Sequence, residues 1–223
     1  MRNKTWLSWS SGKDSAWALH VLRQSTEYEV AGLFTTINSA FERVAMHAVR
    51  VELLRKQAQA VGLPLYLIEI PYPCSDEQYA AVMEDFMARA RGEGVQFMAF
   101  GDLYLEDVRR YREERMQGSG ITPLFPLWGR PTRALLEEML AGGVRTCLTC
   151  VDPKVLPAGF AGRELTTELL EAMPPGIDPC GENGEFHTFV FAGPMFSAPL
   201  DIEMGEVVER DGFVFADCLP RKT

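Results

Sequence analysis

With 223 residues, 47% of them hydrophobic and 24% charged, the chain can bury a sizeable core, which excludes a disordered tail, a fibrous repeat or a disulfide-stapled miniprotein. Asp and Glu total 31 against 22 Lys and Arg, and the net charge of −9 disfavours a protein that tracks a nucleic-acid backbone. No apolar run approaches the roughly 20 residues needed to cross a bilayer, Met1–Lys4 lacks a signal-peptide pattern, and five scattered cysteines predict free thiols, so the expectation is a cytoplasmic protein without a membrane partner.

Lys4–Trp9 predicts a short buried strand. The turn Ser10-Ser-Gly-Lys-Asp-Ser15 follows, and Trp17, Ala18, Val21 and Leu22 then mark a helix. Glu29–Ile37 reads as the next strand. Val51, Leu54, Ala58 and Val61 recur at helical spacing until Gly62 stops the helix and Pro64 prevents its resumption. Pro64–Ile70 is a third strand, and Ser75 with Gln78 forms a capping-box pattern ahead of a helix whose apolar face runs from Tyr79 to Ala90. Val95–Gly101 is a fourth strand. Strands alternating with helices of this length predict an α/β fold with a doubly wound parallel sheet.

Beyond Pro123 the texture changes. Helices over Thr132–Leu140 and Arg163–Met173 flank a strand at Val144–Val151, and strands follow at His187–Ala192, Asp201–Glu209 and Phe213–Cys218. We therefore expect a nucleotide domain over residues 1–124 and a smaller α+β domain over 125–223, with Pro174–Gly184 as a structured loop.

The Ser10–Ser15 turn is the first candidate site. Small residues between a first strand and a first helix leave backbone N–H groups facing whatever sits at the positive end of the helix dipole, and a phosphate fits there. Ser10 and Ser15 add hydroxyls, Ser11 an amide, Gly12 permits close approach, Lys13 supplies positive charge, and Asp14 can orient the loop or hold magnesium. A Walker A loop is rejected, because Leu7 stands where its first glycine is needed and Asp14 replaces its magnesium-binding hydroxyl. Thr35 and Thr36 end the second strand where an open parallel sheet presents its ligand crevice, so they are candidates to contact adenosine. Gly101 ends the fourth strand at the same edge, and Asp102 can coordinate magnesium, orient Lys13 or cap a helix.

The second candidate is Asp178-Pro-Cys-Gly-Glu-Asn-Gly-Glu-Phe-His-Thr188, in which Glu182, Glu185 and His187 can serve acid–base chemistry or magnesium, and Asn183 and Thr188 can bind substrate. Cys147 and Cys150 have a two-residue gap but lie in an apolar run, so packing is the reading preferred over metal or iron–sulfur chemistry. Arg109, Arg110, Arg112 and Arg115 interleave with acids and read as a solvated, charge-laced helix face.

The loop resembles S-G-G-x-D-S, the pyrophosphate loop of N-type ATP pyrophosphatases, with Ser11 in place of the first glycine. Ser10–Ser15, Met46-His47, Gly101-Asp102-Leu103, Phe125–Trp128, Gly162-Arg163 and Cys180–Thr188 together resemble the diphthine–ammonia ligase family and its bacterial relatives, the adenine-nucleotide alpha hydrolases. The resemblance implies ATP and Mg2+ as cofactors, nucleotide or acceptor contact for His47, and an AMP-forming reaction. A carboxylate acceptor, protein-bound diphthine or a small molecule, is adenylated with release of pyrophosphate and then amidated by ammonia from free ammonium. A homo-oligomer is compatible with these expectations. Two other functions share the loop: an RNA-modifying, thiolating enzyme, and a non-catalytic ATP-binding sensor in which Glu182–Thr188 serves packing only.

Overall fold

The computed structural model describes residues 2–38, 43–44 and 49–221. Met46 and His47 lie outside the described residues.

The chain runs β1 (Asn3–Ser8), α1 (Lys13–Gln24), β2 (Tyr28–Asn38), β3 (Arg43–Val44), α2 (Val51–Val61), β4 (Leu65–Ile70), α3 (Asp76–Gly92), β5 (Phe97–Ala99), α4 (Glu106–Met116) and β6 (Thr122–Leu124). It continues as α5 (Thr132–Ala141), β7 (Arg145–Val151), α6 (Thr167–Glu171), β8 (Phe186–Ala192), β9 (Ile202–Arg210) and β10 (Phe213–Pro220).

Parallel pairings of β1 with β2 and β5, β2 with β4, and β5 with β6 give one sheet in the order β4-β2-β1-β5-β6, and the two-residue β3 adds antiparallel to the end of β2. The chain first winds outward from β1 to β4 and then returns to β5 on the other side of β1. That reversal opens a crevice at the carboxyl ends of β1 and β5, where ligands of open α/β sheets bind. The alternation of β1 sends Trp6 and Leu7 to opposite faces. Trp6 packs with Phe34, Phe86 and Met98, while Leu7 joins Leu19, Leu33 and Leu53, so helices cover both faces as the alternating pattern requires.

The second sheet is antiparallel, in the order β8-β7-β10-β9. Its apolar residues Cys147, Leu148, Phe189 and Val190 enter the same core cluster as Leu19 and Leu53, so β7 and β8 pack on the α1 side of the first sheet. This packing brings the Asp178–Thr188 segment against the start of α1.

Local signals explain most boundaries. Ser75 Oγ accepts a hydrogen bond from the Gln78 N–H while the Gln78 side-chain oxygen accepts one from the Ser75 N–H, closing the capping box of α3. Gly62, at φ 70°, ends α2 in the left-handed conformation that glycine adopts without penalty. Three expectations change. The strand at Val95–Gly101 shortens to β5, and β6 is an added strand containing Pro123, tolerated because β6 is the sheet edge. The helix expected over Arg163–Met173 contracts to α6, because Gly162–Leu165 runs as a strap along β7, with N–H to carbonyl bonds from Gly162 to Leu148, Leu148 to Arg163 and Leu165 to Thr146. Thr166 then caps the short helix by accepting from the Leu169 N–H.

Candidate functional site

The loop Ser10–Ser15 joins β1 to α1 at the crevice. Gly12 is the N-cap of α1 and has no side chain to cap it, so the positive end of the helix is left to other partners. Ser10 Oγ lies 3.1 Å from Ser15 Oγ, and the Ser15 hydroxyl donates to the Gly12 carbonyl at 3.0 Å. Ser11 has a left-handed backbone, φ 71°, and is fully buried with its hydroxyl unpartnered among the described residues. A glycine at this position explains itself; a serine carries strain. Gly101 packs on this turn: a Cβ there would sit 3.0 Å from both Asp14 C and Ser15 N.

Lys13 is buried, and its Nζ donates to Asp14 Oδ2 at 2.8 Å, to Asp14 Oδ1 at 3.1 Å and to the Cys180 carbonyl. Burial pulls the Lys13 ammonium down, but the adjoining Asp14 carboxylate, with Cys180 and Glu182, outweighs it and holds Lys13 above its ordinary value. Burial pushes the Asp14 carboxyl up despite the attraction of Lys13. The backbone N–H of Lys13 donates to Thr188 Oγ1 at 3.2 Å. Loop and C-terminal block are thus in direct contact through both the side chain and the backbone of one residue.

Within the block, Asp178 and Glu185 organise the turn. Asp178 Oδ1 accepts from the N–H groups of Cys180 and Glu182, and its Oδ2 accepts from the Thr132 hydroxyl at 2.7 Å. Glu185 is buried and accepts three N–H bonds of 3.0 Å each, from Asp178 N, Asn183 N and Asn183 Nδ2. Its carboxylate is therefore committed to the turn itself. Asn183 Oδ1 accepts from the Tyr104 hydroxyl at 3.0 Å.

Glu182 is different. Its Oε1 accepts from the Leu103 N–H at 2.7 Å, and no second partner touches its carboxylate among the described residues. Burial, with Asp14 and Asp102 nearby and against the Leu103 hydrogen bond, pushes it up to about 7. A carboxyl that is half ionised near neutrality can accept or donate a proton during turnover. His187 moves the opposite way, down to about 4, because burial and then the Lys13 charge disfavour the imidazolium. It stands as a neutral ring at neutral pH.

A cavity of about 500 Å3 opens beside the loop, between α3 and α4 at the carboxyl ends of β1 and β2. Ser10, Thr35 and Thr36 line it, as do Met83 on α3 and Arg112 and Arg115 on α4. Thr35 also donates its hydroxyl to the Trp9 carbonyl, joining the ends of β2 and β1. The size and the mixed apolar and polar wall suit a nucleoside. Asp102, for which magnesium, Lys13 and a helix cap are the expected roles, accepts from Arg112 through Nε to Oδ2 at 2.6 Å and Nη2 to Oδ1 at 3.0 Å. The guanidinium so fixed lies 4.3 Å from the centre of the Phe100 ring.

The loop and the block thus come together, with Thr35 and Thr36 on the wall of the adjoining cavity, while His47 lies outside the described residues. Arg112 and Arg115, read from the sequence as part of a solvated, charge-laced helix face, line the cavity instead, and of the four arginines on α4 Arg109, paired with Glu113 at 2.7 Å, shows the expected intrahelical ion pair. Sequence reasoning passed over Gln57, a polar residue on the apolar stripe of α2 that is completely buried. Cys147 and Cys150 are buried in β7, and burial pushes the Cys150 thiol up to about 11, away from thiolate chemistry. Among the described residues no group of three or more His, Cys, Asp or Glu is gathered as a metal site, and no helix is long and apolar enough to cross a membrane.

Family models described as Diphthamide synthase N-terminal domain and Diphthamide synthase C-terminal domain match residues 3–123 and 131–216. The chain is 31% identical over 180 residues to a diphthine–ammonia ligase of Danio rerio, covering 71% of this chain and 68% of that protein. It is 26% and 25% identical over 196 residues to the diphthine–ammonia ligases of Bos taurus and Homo sapiens, covering 79% of this chain and 70% of each.

Proposed function

The chain belongs to the diphthamide synthase family, and we propose that it is an ATP-dependent ligase that adenylates a carboxylate and converts it to an amide with ammonia. The observation that carries this reading is the contact between the loop and the block, in which Lys13 donates from Nζ to the Cys180 carbonyl and from its backbone to Thr188. A loop built to hold phosphates and a wall built of carboxyls and an imidazole thereby share one crevice.

In this reading Ser10–Ser15 holds the β- and γ-phosphates, residues 1–124 supply the nucleotide site, and residues 125–223 shape the acceptor site. Adenosine occupies the cavity lined by Thr35, Thr36 and Arg112. The acceptor carboxylate, on protein-bound diphthine or a small molecule, attacks the α-phosphorus, and the bond from that phosphorus to the bridging oxygen breaks. Charge accumulates on the departing pyrophosphate, where Lys13 and the amides at the start of α1 stabilise it. Magnesium bound to the phosphates would neutralise further charge; Asp14 is the loop carboxylate able to hold it, and one carboxylate suffices for an ion that arrives with a triphosphate.

Amide formation needs a nitrogen lone pair. Ammonium gives one proton to a base, ammonia attacks the acyl carbon, AMP leaves, and a second proton is lost from nitrogen. Glu182, held at about 7, is the group suited to accept a proton at neutral pH, whereas His187, held at about 4, is too weak a base and serves as a neutral hydrogen-bonding ring. Asn183 and Thr188 complete the acceptor wall.

The test is product analysis by phosphorus NMR, with ATP, magnesium, ammonium and a diphthine-bearing protein. Equal amounts of AMP and pyrophosphate, dependent on the acceptor, are expected. ADP and orthophosphate would overturn the reading, and no turnover with intact ATP binding would favour a sensor.

A further inference from the structure

Gln57 stands on α2, with no surface exposed to solvent, and its three hydrogen bonds join three separate parts of the chain. Its Oε1 accepts from the Trp9 indole N–H at 2.8 Å, and its Nε2 donates to the Ser11 carbonyl at 3.0 Å and to the Val190 carbonyl at 2.7 Å. The orientation of the amide is fixed by chemistry, since an indole only donates and a carbonyl only accepts. Both of its N–H donors are used, and its oxygen accepts one bond.

The partner that matters most is Ser11. Its carbonyl accepts a second bond, from the Val190 N–H at 3.0 Å, so it is drawn toward α2 and β8. In a trans peptide the carbonyl and the following N–H point in opposite directions. The Gly12 N–H therefore faces away from Gln57, toward the hydroxyl of Ser10 at 3.4 Å, a weak contact that a phosphate oxygen can improve upon. Ser11 adopts φ 71°, a conformation that persists only when its surroundings hold it.

We propose that Gln57 is a positioning residue of the phosphate loop: it holds the Ser11–Gly12 peptide so that the Gly12 amide is presented to the terminal phosphates. This rests on the reading of Ser10–Ser15 as the triphosphate site. The Gln57 side chain touches no nucleotide in this account; it acts through one peptide plane.

The test compares wild type, Gln57→Met and Val61→Ala by titration calorimetry with three probes: ATP, inorganic pyrophosphate and AMP, each with magnesium. Gln57→Met keeps the length of the side chain and loses its donors. It should weaken ATP and pyrophosphate about tenfold, the effect of one misaimed hydrogen bond to charge, and leave AMP within about twofold. Val61→Ala removes buried apolar atoms from the same helix and serves as the control for loosening. It should lower the melting temperature and leave all three affinities within about twofold of wild type. Equal losses for the three probes, no loss for any, or the same selective pattern in Val61→Ala would overturn the proposal. If wild type binds neither ATP nor pyrophosphate, the reading of the loop itself falls. Should Gln57→Met not fold, Gln57→Glu carries the same test, because its carboxyl can donate to a carbonyl only while protonated. Its pyrophosphate affinity should then fall relative to wild type between about pH 6 and pH 8, and a curve parallel to wild type would overturn the proposal.

Discussion

Replacing Glu182 by Gln separates what this residue does for the fold from what it does for the chemistry. Its carboxyl is raised from 4.5 to about 7, chiefly by burial. A carboxyl raised in the folded state favours folding in its protonated form, so the wild type should lose stability as pH climbs from about 4.5 to about 7 and change no further above that. The full shift corresponds to about 3 kcal/mol at about 1.4 kcal/mol per unit. Glu182 is only partly buried and therefore screened, which leaves on the order of 1–2 kcal/mol. Glutamine keeps an oxygen for the Leu103 N–H and carries no charge, so Glu182→Gln should be more stable than wild type by that amount at pH 8, a rise of about 3–6 °C in melting temperature. The advantage should largely vanish below about pH 5. The same variant should lose about 100-fold or more in turnover if Glu182 accepts the ammonium proton. Paired thermal melts across pH, with pyrophosphate release measured on the same samples, give the answer. A stability difference that does not vary with pH, or a loss of stability at pH 8, would refute the account of Glu182.

Ser11→Gly should stabilise the protein by about 1 kcal/mol in urea titrations, because it relieves left-handed strain and removes a buried unpartnered hydroxyl, and a destabilised variant would show that the hydroxyl has a use. Gly101→Ala should cost about 1–3 kcal/mol, since the new Cβ meets backbone atoms of Asp14 and Ser15 at 3.0 Å, and it should weaken ATP binding measured on the same sample. Glu185→Gln should cost about 2–3 kcal/mol in a denaturant series, because an amide NH2 would face N–H groups that now share a carboxylate. If Glu185→Gln instead left stability untouched and shifted the pH profile of turnover, Glu185 would belong to the chemistry and not to the turn.

The parts legible in the sequence are those whose cause is local. A strand running into Ser, Gly and Ser at the head of an amphipathic helix, the Ser75–Gln78 box and the Gly62 stop each act within a few residues, and the structure has all of them. What escaped depends on distant partners. A three-residue strand containing Pro123 carries no local signal, and only its place at the edge of the sheet makes it a strand. Gly162–Leu165 has the composition of a helix start and becomes a strap because β7 offers it hydrogen bonds. The alternation of charges on α4 is the same whether Arg112 pairs along its helix or turns to Asp102, and the fold decides for the second. Gln57 did leave a trace, as a polar residue amid the apolar positions Leu54, Ala58 and Val61, and such a break in an apolar stripe is worth reading as a buried hydrogen-bonding demand.

In the proposed reaction the turn between β1 and α1 holds the terminal phosphates so that bond breaking occurs at the innermost one. The most direct measurement is a crystal structure with magnesium and an ATP analogue whose α–β bridge is a methylene group, which cannot be cleaved there. Phosphate density against Ser10–Ser15, with the base in the cavity beside Thr35 and Thr36, is the expected result. A triphosphate bound elsewhere, with this turn empty, would contradict it.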